Sequence, residues 1–112
     1  MKKVIYISVP ITGRAKCEIT ADIERAAEFC VMKFVDFNRE YINPLNIAAE
    51  VDRIFKILKL GEPYYGEYMG FDITELIERA DTVVFCKDWQ QSKGCRLEHA
   101  AAEIYKKEIF YL

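Results

Sequence analysis

The sequence predicts an α/β domain: a small, three-layer, doubly wound arrangement around a mostly parallel sheet of about four to five strands. Three observations carry that expectation. Short β-branched, mostly apolar runs ("KVIYIS", "DTVVFC", "EIFYL") alternate with longer segments whose apolar residues recur every three or four positions. Strands that alternate with helices build parallel sheets with helices on both faces. The 112 residues, 52% apolar and 30% charged, suffice for one packed core and contain no repeat, low-complexity stretch or linker. Residues 1–112 are therefore read as a single domain.

Taken in order, residues 3–8 ("KVIYIS") have the unbroken apolar character of a strand covered on both faces. The loop "VPITGRAK" follows. Ile19, Ile23, Ala26, Ala27, Cys30, Phe34 and Phe37 then trace one apolar face, predicting a helix over residues 19–38. Residues 40–44 ("EYINP") read as a short second strand stopped by Pro44. Ile47, Val51, Ile54, Phe55 and Leu58 return to helical spacing, and Gly61 with Pro63 ends that helix. Residues 64–80 are predicted helical from the second half of the tyrosine cluster onward, with Gly66 and Gly70 weakening the start. Residues 81–86 form the third strand, a loop over 87–91 leads to a helix over 92–107, and residues 108–112 form the fourth strand. This is the pattern of flavodoxin-like or Rossmann-like domains. Their ligands bind beyond the carboxyl ends of the strands, where the strand order reverses. The loops at that edge are residues 9–17, those from Pro44 onward, and 87–94.

Composition excludes several classes. A net charge of −2, with both signs interspersed, argues against a protein that coats a nucleic-acid polymer. No run of about 18 apolar residues is present to span a bilayer. The opening "MKKVIYISVP" has two lysines and a short apolar stretch, but it is β-branched and ends in Pro10 without a small-residue cleavage site. It reads as the first strand of a cytoplasmic protein. The four cysteines, Cys17, Cys30, Cys86 and Cys95, form no C-x-x-C pair, and His99 is the only histidine. They are read as reduced thiols in and near the core, with no metal or redox cofactor implied.

The stretch "DWQQSKGCRLEHA", residues 88–100, is where chemistry is expected. Ser92 suits a helix N-cap, and Gly94 allows close approach to the backbone. The first helical turn, with Lys93 and Arg96 nearby, suits a phosphate, although a simply capped helix start has the same residues. Glu98 lies about 1.7 turns after Ser92. Alone it would be a solvated surface charge. Asp72, in "GFDITEL", can reach the same sheet edge, and two carboxyls flanking a glycosidic bond can act as nucleophile and acid. Tyr6 is either core filler or a donor that orients Glu98, and Ser8 follows near the strand end. Thr12, Gly13 and Arg14 form a polar loop on that edge, with Arg14 able to clamp a phosphate. Trp89, Tyr64, Tyr65 and Tyr68 could stack on a planar base or fill an oligomer interface. His99 points about 100° away from Glu98 around the helix and is read as packing or surface.

"IYISVPITG", "FDITELIERADTVVF" and "SKGCRLEHAAA" occur in this order, and together they resemble the nucleoside 2-deoxyribosyltransferase superfamily. Its small bacterial and phage branch shows a Y-I-S-G-P-x-T-G start, an N-P after strand two and a W-x-x-S-x-G-x-x-x-E signature. Asn43-Pro44 and Trp89 through Glu98 stand in those places. The resemblance implies Glu98 as nucleophile on the anomeric carbon, Asp72 as the group that protonates or positions the leaving base, and Tyr6 as the residue that orients Glu98. Ser8, Thr12, Gly13, Arg14, Asn43, Trp89, Ser92 and Gly94 are the expected substrate- or phosphate-binding residues. Ser92 stands where deoxyribosyltransferases have Asp. The related deoxynucleoside 5′-monophosphate N-glycosidases have a phosphate-holding Ser there, which tilts the expected substrate toward a nucleotide.

The implied function is hydrolysis or transfer of the N-glycosidic bond of a (deoxy)nucleoside or its 5′-monophosphate, in a homo-oligomer with no polymer or membrane partner. The alternative is a non-catalytic nucleotide-binding or nucleotide-sensing module. Two departures favour it. Val9 replaces the usual glycine, and the sequence ends at Leu112, before the residues through which those relatives complete a neighbouring subunit's site.

Overall fold

The computed structural model describes residues 1–112. In chain order the elements are β1 (Lys2–Ser8), α1 (Lys16–Lys33), β2 (Asn38–Ile42), α2 (Pro44–Ile57), α3 (Tyr65–Arg79), β3 (Thr82–Phe85), α4 (Lys93–Ile104) and β4 (Glu108–Tyr111). The strands form one sheet in the order β2-β1-β3-β4, and all three pairings are parallel. The doubly wound α/β domain read from the sequence is the fold observed, with four strands.

β1 and β3 are flanked on both sides, and their residues 5–8 and 82–85 are all buried. Strand alternation sorts their side chains between two cores. Ile5, Ile7 and Val84 pack with Ile19, Ala26, Cys30 and Phe34 on the α1 side. Tyr6, Val83 and Phe85 pack with Leu76, Ala80, Ala101 and Ala102 on the side of α3 and α4.

Several boundaries differ from the sequence reading, each for a local reason. The first helix ends at Lys33 instead of running to Asn38. Phe34 leaves helical geometry, and the Phe37 amide donates to the Phe34 carbonyl at 3.1 Å in a turn. A tight turn satisfies a three-residue apolar spacing as well as a helix does. It brings the Phe34 and Phe37 rings edge to face at 6.2 Å. Asn38 instead opens β2, in register with Lys2. Pro44 both stops β2 and opens α2, earlier than the apolar spacing from Ile47 suggested. Proline suits a first helical position, where its missing N–H has no partner to lose. The α3 start holds despite Gly66 and Gly70 because the Glu67 carboxylate accepts the Tyr64 amide at 2.9 Å. The fourth helix ends at Ile104, not Lys107. Lys106 adopts a left-handed φ of 56° that turns the chain into β4. A single 3₁₀ turn, Trp89–Gln91, lies in the loop before α4. No helix is long and apolar enough to cross a membrane.

Strand order reverses between β1 and β3: one leads outward to β2, the other to β4. Ser8 and Phe85 are register partners at the carboxyl ends of that central pair. The segments leaving them diverge and open a cleft, as parallel sheets of this order do.

Candidate active site

Glu98 is built into the core rather than onto a surface. It is 3% exposed on the inner face of α4. Tyr6 and Ser8, two residues apart on β1, point to the same side of the sheet. The Tyr6 hydroxyl donates to Glu98 Oε2, and the Ser8 hydroxyl donates to Oε1 at 2.8 Å. Each carboxylate oxygen therefore has its own donor. Burial pushes the Glu98 carboxyl up to about 7, while the two hydroxyls pull it the other way. Burial and then the charges of Glu98 and Asp72 raise the Tyr6 hydroxyl well above its ordinary range, so it stays a donor.

Asp72 is 7% exposed and shares its face of α3 with Met69 and Leu76. No donor in the chain reaches its carboxyl. Burial first, and then the nearby Glu98 charge, push it up to about 7. The pair is asymmetric: Glu98 has two hydrogen-bond donors and Asp72 has none. Donors favour the ionised form of a carboxyl, so the surroundings favour Glu98 as the carboxylate and Asp72 as the protonated acid. Both acids line one cavity of about 250 Å³ whose apolar wall includes Val9, Ile11, Pro44, Ala48 and Met69.

The start of α4 forms the cavity's rim. Ser92 caps the helix, its hydroxyl accepting from the Cys95 amide at 3.2 Å. Gly94 sits beneath Tyr65: a Cβ at Gly94 would lie 2.9 Å from the Tyr65 hydroxyl and 3.3 Å from the Met69 sulfur. Ser92, Gly94, Tyr65, Ile11 and Thr12 line this cavity and also an outer cleft of about 810 Å³, so the two adjoin. The outer cleft is polar and carries Arg14, Lys87 and Lys93. Cys95, a turn before Glu98, lines the inner cavity, and burial pushes its thiol up. Burial disfavours the thiolate, the reactive form of a cysteine.

Of the residues expected at the site, Glu98, Asp72, Tyr6 and Ser8 form one hydrogen-bonded or shared-cavity group, with Ser92, Gly94, Thr12 and Arg14 at its mouth. Gly13, Asn43 and Trp89 line neither cavity. Gly13 turns the loop at a φ of 75°. Asn43 caps α2 by accepting the Asn46 amide at 3.1 Å. Trp89 stacks on His99, with ring centroids 4.3 Å apart, and lies beside Phe85 and Tyr111. Among the tyrosines, Tyr65 lines both cavities, Tyr68 lines the inner one and donates to Asp52, and Tyr64 is exposed. The sequence reading missed Met69 and Cys95 as cavity walls. Each stands three residues before an acid, the helical spacing that places it on the same face. It also missed Asp22, which pairs with Arg14 from behind.

No curated protein and no solved structure matches the chain significantly. A family model does match, across residues 3–111, and the chain belongs to that family, described as a domain of unknown function, DUF4406.

Proposed function

We propose that the protein is a nucleoside 2-deoxyribosyltransferase-like enzyme. It breaks the N-glycosidic bond of a (deoxy)nucleoside or its 5′-monophosphate and passes the sugar to water or to a second base. One observation carries the reading: a buried carboxyl with two hydroxyl donors faces the same cavity as a buried carboxyl with none. That difference suits a division of labour between nucleophile and acid. A Glu98 oxygen forms a bond to the anomeric carbon as the carbon–nitrogen bond breaks, and the departing base takes the Asp72 proton. Water or an acceptor base then attacks the same carbon, the Glu98 ester opens, and the incoming group's proton returns to Asp72. Tyr6 and Ser8 hold the Glu98 oxygens in place throughout. The reading includes self-association, supported by the exposed apolar side chains Phe71, Leu97 and Ile104 on α3 and α4.

The test is incubation with deoxynucleosides and their 5′-monophosphates, with free base followed by chromatography. Wild type is expected to release base, and Glu98→Ala to lose roughly a thousandfold or more. Release that persists unchanged in Glu98→Ala would remove this mechanism. One observation favours a second reading, a nucleotide-binding module without turnover: the Val9 side chain occupies the wall of the inner cavity. Calorimetric binding of a nucleotide with no base released would select it.

A further inference from the structure

Asp22 has no part in the chemistry above, yet it is a carboxylate only 6% exposed on α1 that holds two arginines. Arg14 Nη2 lies 2.7 Å from Asp22 Oδ2, and Arg25, one turn further along α1, donates to Oδ1. Burial alone would raise the Asp22 carboxyl, but the hydrogen bonds of Arg14 and Arg25 outweigh it and hold the group below its ordinary range. It is therefore a fixed negative charge.

Arg14 is gripped from a second side, donating through Nη1 to the Pro10 carbonyl at 2.8 Å. A guanidinium has five N–H donors, so these two contacts fix its plane and leave donors over. The fixed plane belongs to the wall of the outer cleft, which Lys87, Lys93 and Ser92 share with Glu18 and Asp88. Glu18 stands off from Arg14 Nε at 4.0 Å. The charges matter as much as the geometry. A buried carboxylate paired only with Arg14 would cancel its charge. Arg25 offsets the Asp22 charge from outside the cleft, which it does not line; Glu18 offsets Arg14 in turn, and Lys87 and Lys93 against Asp88 leave the cleft one net positive charge.

We propose that Asp22 and Arg25 are positioning residues that present a charged, oriented Arg14 to a phosphate in the outer cleft. The ligand of the adjoining acids is then a phosphorylated nucleoside rather than the free one. The nucleoside half of this statement rests on the proposed function; the phosphate half rests on the Arg14–Asp22–Arg25 cluster.

The test is calorimetric binding in a Glu98→Ala background, which stops turnover. Each of the four common deoxynucleosides is compared with its 5′-monophosphate. The monophosphate of the preferred base is expected to bind about tenfold more tightly than its nucleoside, by a margin that shrinks with salt. Asp22→Asn and Arg14→Gln are expected to bring the ratio near one. Arg25→Gln is expected to lower it severalfold without touching the cleft. Arg25 has a side chain 63% exposed, so this variant decides the matter if Asp22→Asn fails to fold. A ratio near one in the parent, equal losses for both ligands in the variants, or no binding of any pair would overturn the proposal. Retained discrimination with no base release by wild type would count against the glycosidic chemistry alone. Base release from free nucleosides with no phosphate preference would count against the phosphate proposal alone.

Discussion

A carboxyl buried beside another carboxyl keeps its proton to higher pH than one in water. Asp72 and Glu98 are both pushed up to about 7, from ordinary values of 3.8 and 4.5. Between roughly pH 4 and 7 the folded chain therefore binds more protons than the unfolded one, and stability falls as pH rises through that window. Above it the cost is fully present, of order a few kcal/mol. Asp72→Asn removes the like charge and much of this cost. The variant is expected to melt at a higher temperature than wild type at pH 8, with little difference at pH 4, by circular dichroism. Tyr6→Phe keeps the ring in the core and deletes one donor to Glu98. Its acid-side limb in the pH profile of kcat/KM is expected to move upward by about one unit, since a hydrogen bond to a charged group is worth about 1.5–3 kcal/mol. At this scale the sequence was partly legible. The resemblance carried by the three motifs singled out Tyr6, Asp72 and Glu98, whereas Ser8 was read only as lying near the end of the strand, and its hydrogen bond to Glu98 emerges from the structure. Asp22 was not legible, because an acid on a helix looks alike whether solvent or a returning loop covers it.

The element that matters most is α4, which carries both the shared rim of the two cavities and Glu98. Gly94 in its first turn is there for space: an added methyl meets the tip of Tyr65 and the Met69 sulfur. Tyr65 is 59% exposed, so its tip can give way, and alanine is the better helix former by about 1 kcal/mol. Gly94→Ala is therefore expected to leave the melting temperature unchanged or slightly raised. Ligand affinity should fall severalfold as Tyr65 is moved from the junction of the two cavities. Paired thermal melts and titrations check both halves. Helix existence was readable from apolar spacing, but helix ends were not. Phe34 and Phe37 satisfy a helical period from within a turn, and Pro44 can end one element while starting the next.

At the scale of the whole molecule, the alternation of β-branched runs with amphipathic segments was enough to give the parallel sheet and the edge at which its cavities open. It was not enough to say how side chains would be shared out along that edge. Trp89 sits in the signature segment, yet it faces His99 and Tyr111 instead of the cavities. The outer surface of α3 and α4 bears on assembly. If Leu97 and Ile104, at 51% and 73% exposure, are covered by a second copy, sedimentation velocity should show a species heavier than one chain. Leu97→Glu combined with Ile104→Glu should return a single chain.

Tyr6 and Ser8 belong to β1, which is hemmed in by neighbouring strands, whereas Arg14 and Lys87 stand on connecting segments. Inheritance can act on these two sets differently. A change in the strand disturbs folding before anything else, so the two donors to Glu98 are shielded from drift. The connecting segments are free to vary, so descendants of this scaffold can reshape the outer cleft while the surroundings of Glu98 stay as they are.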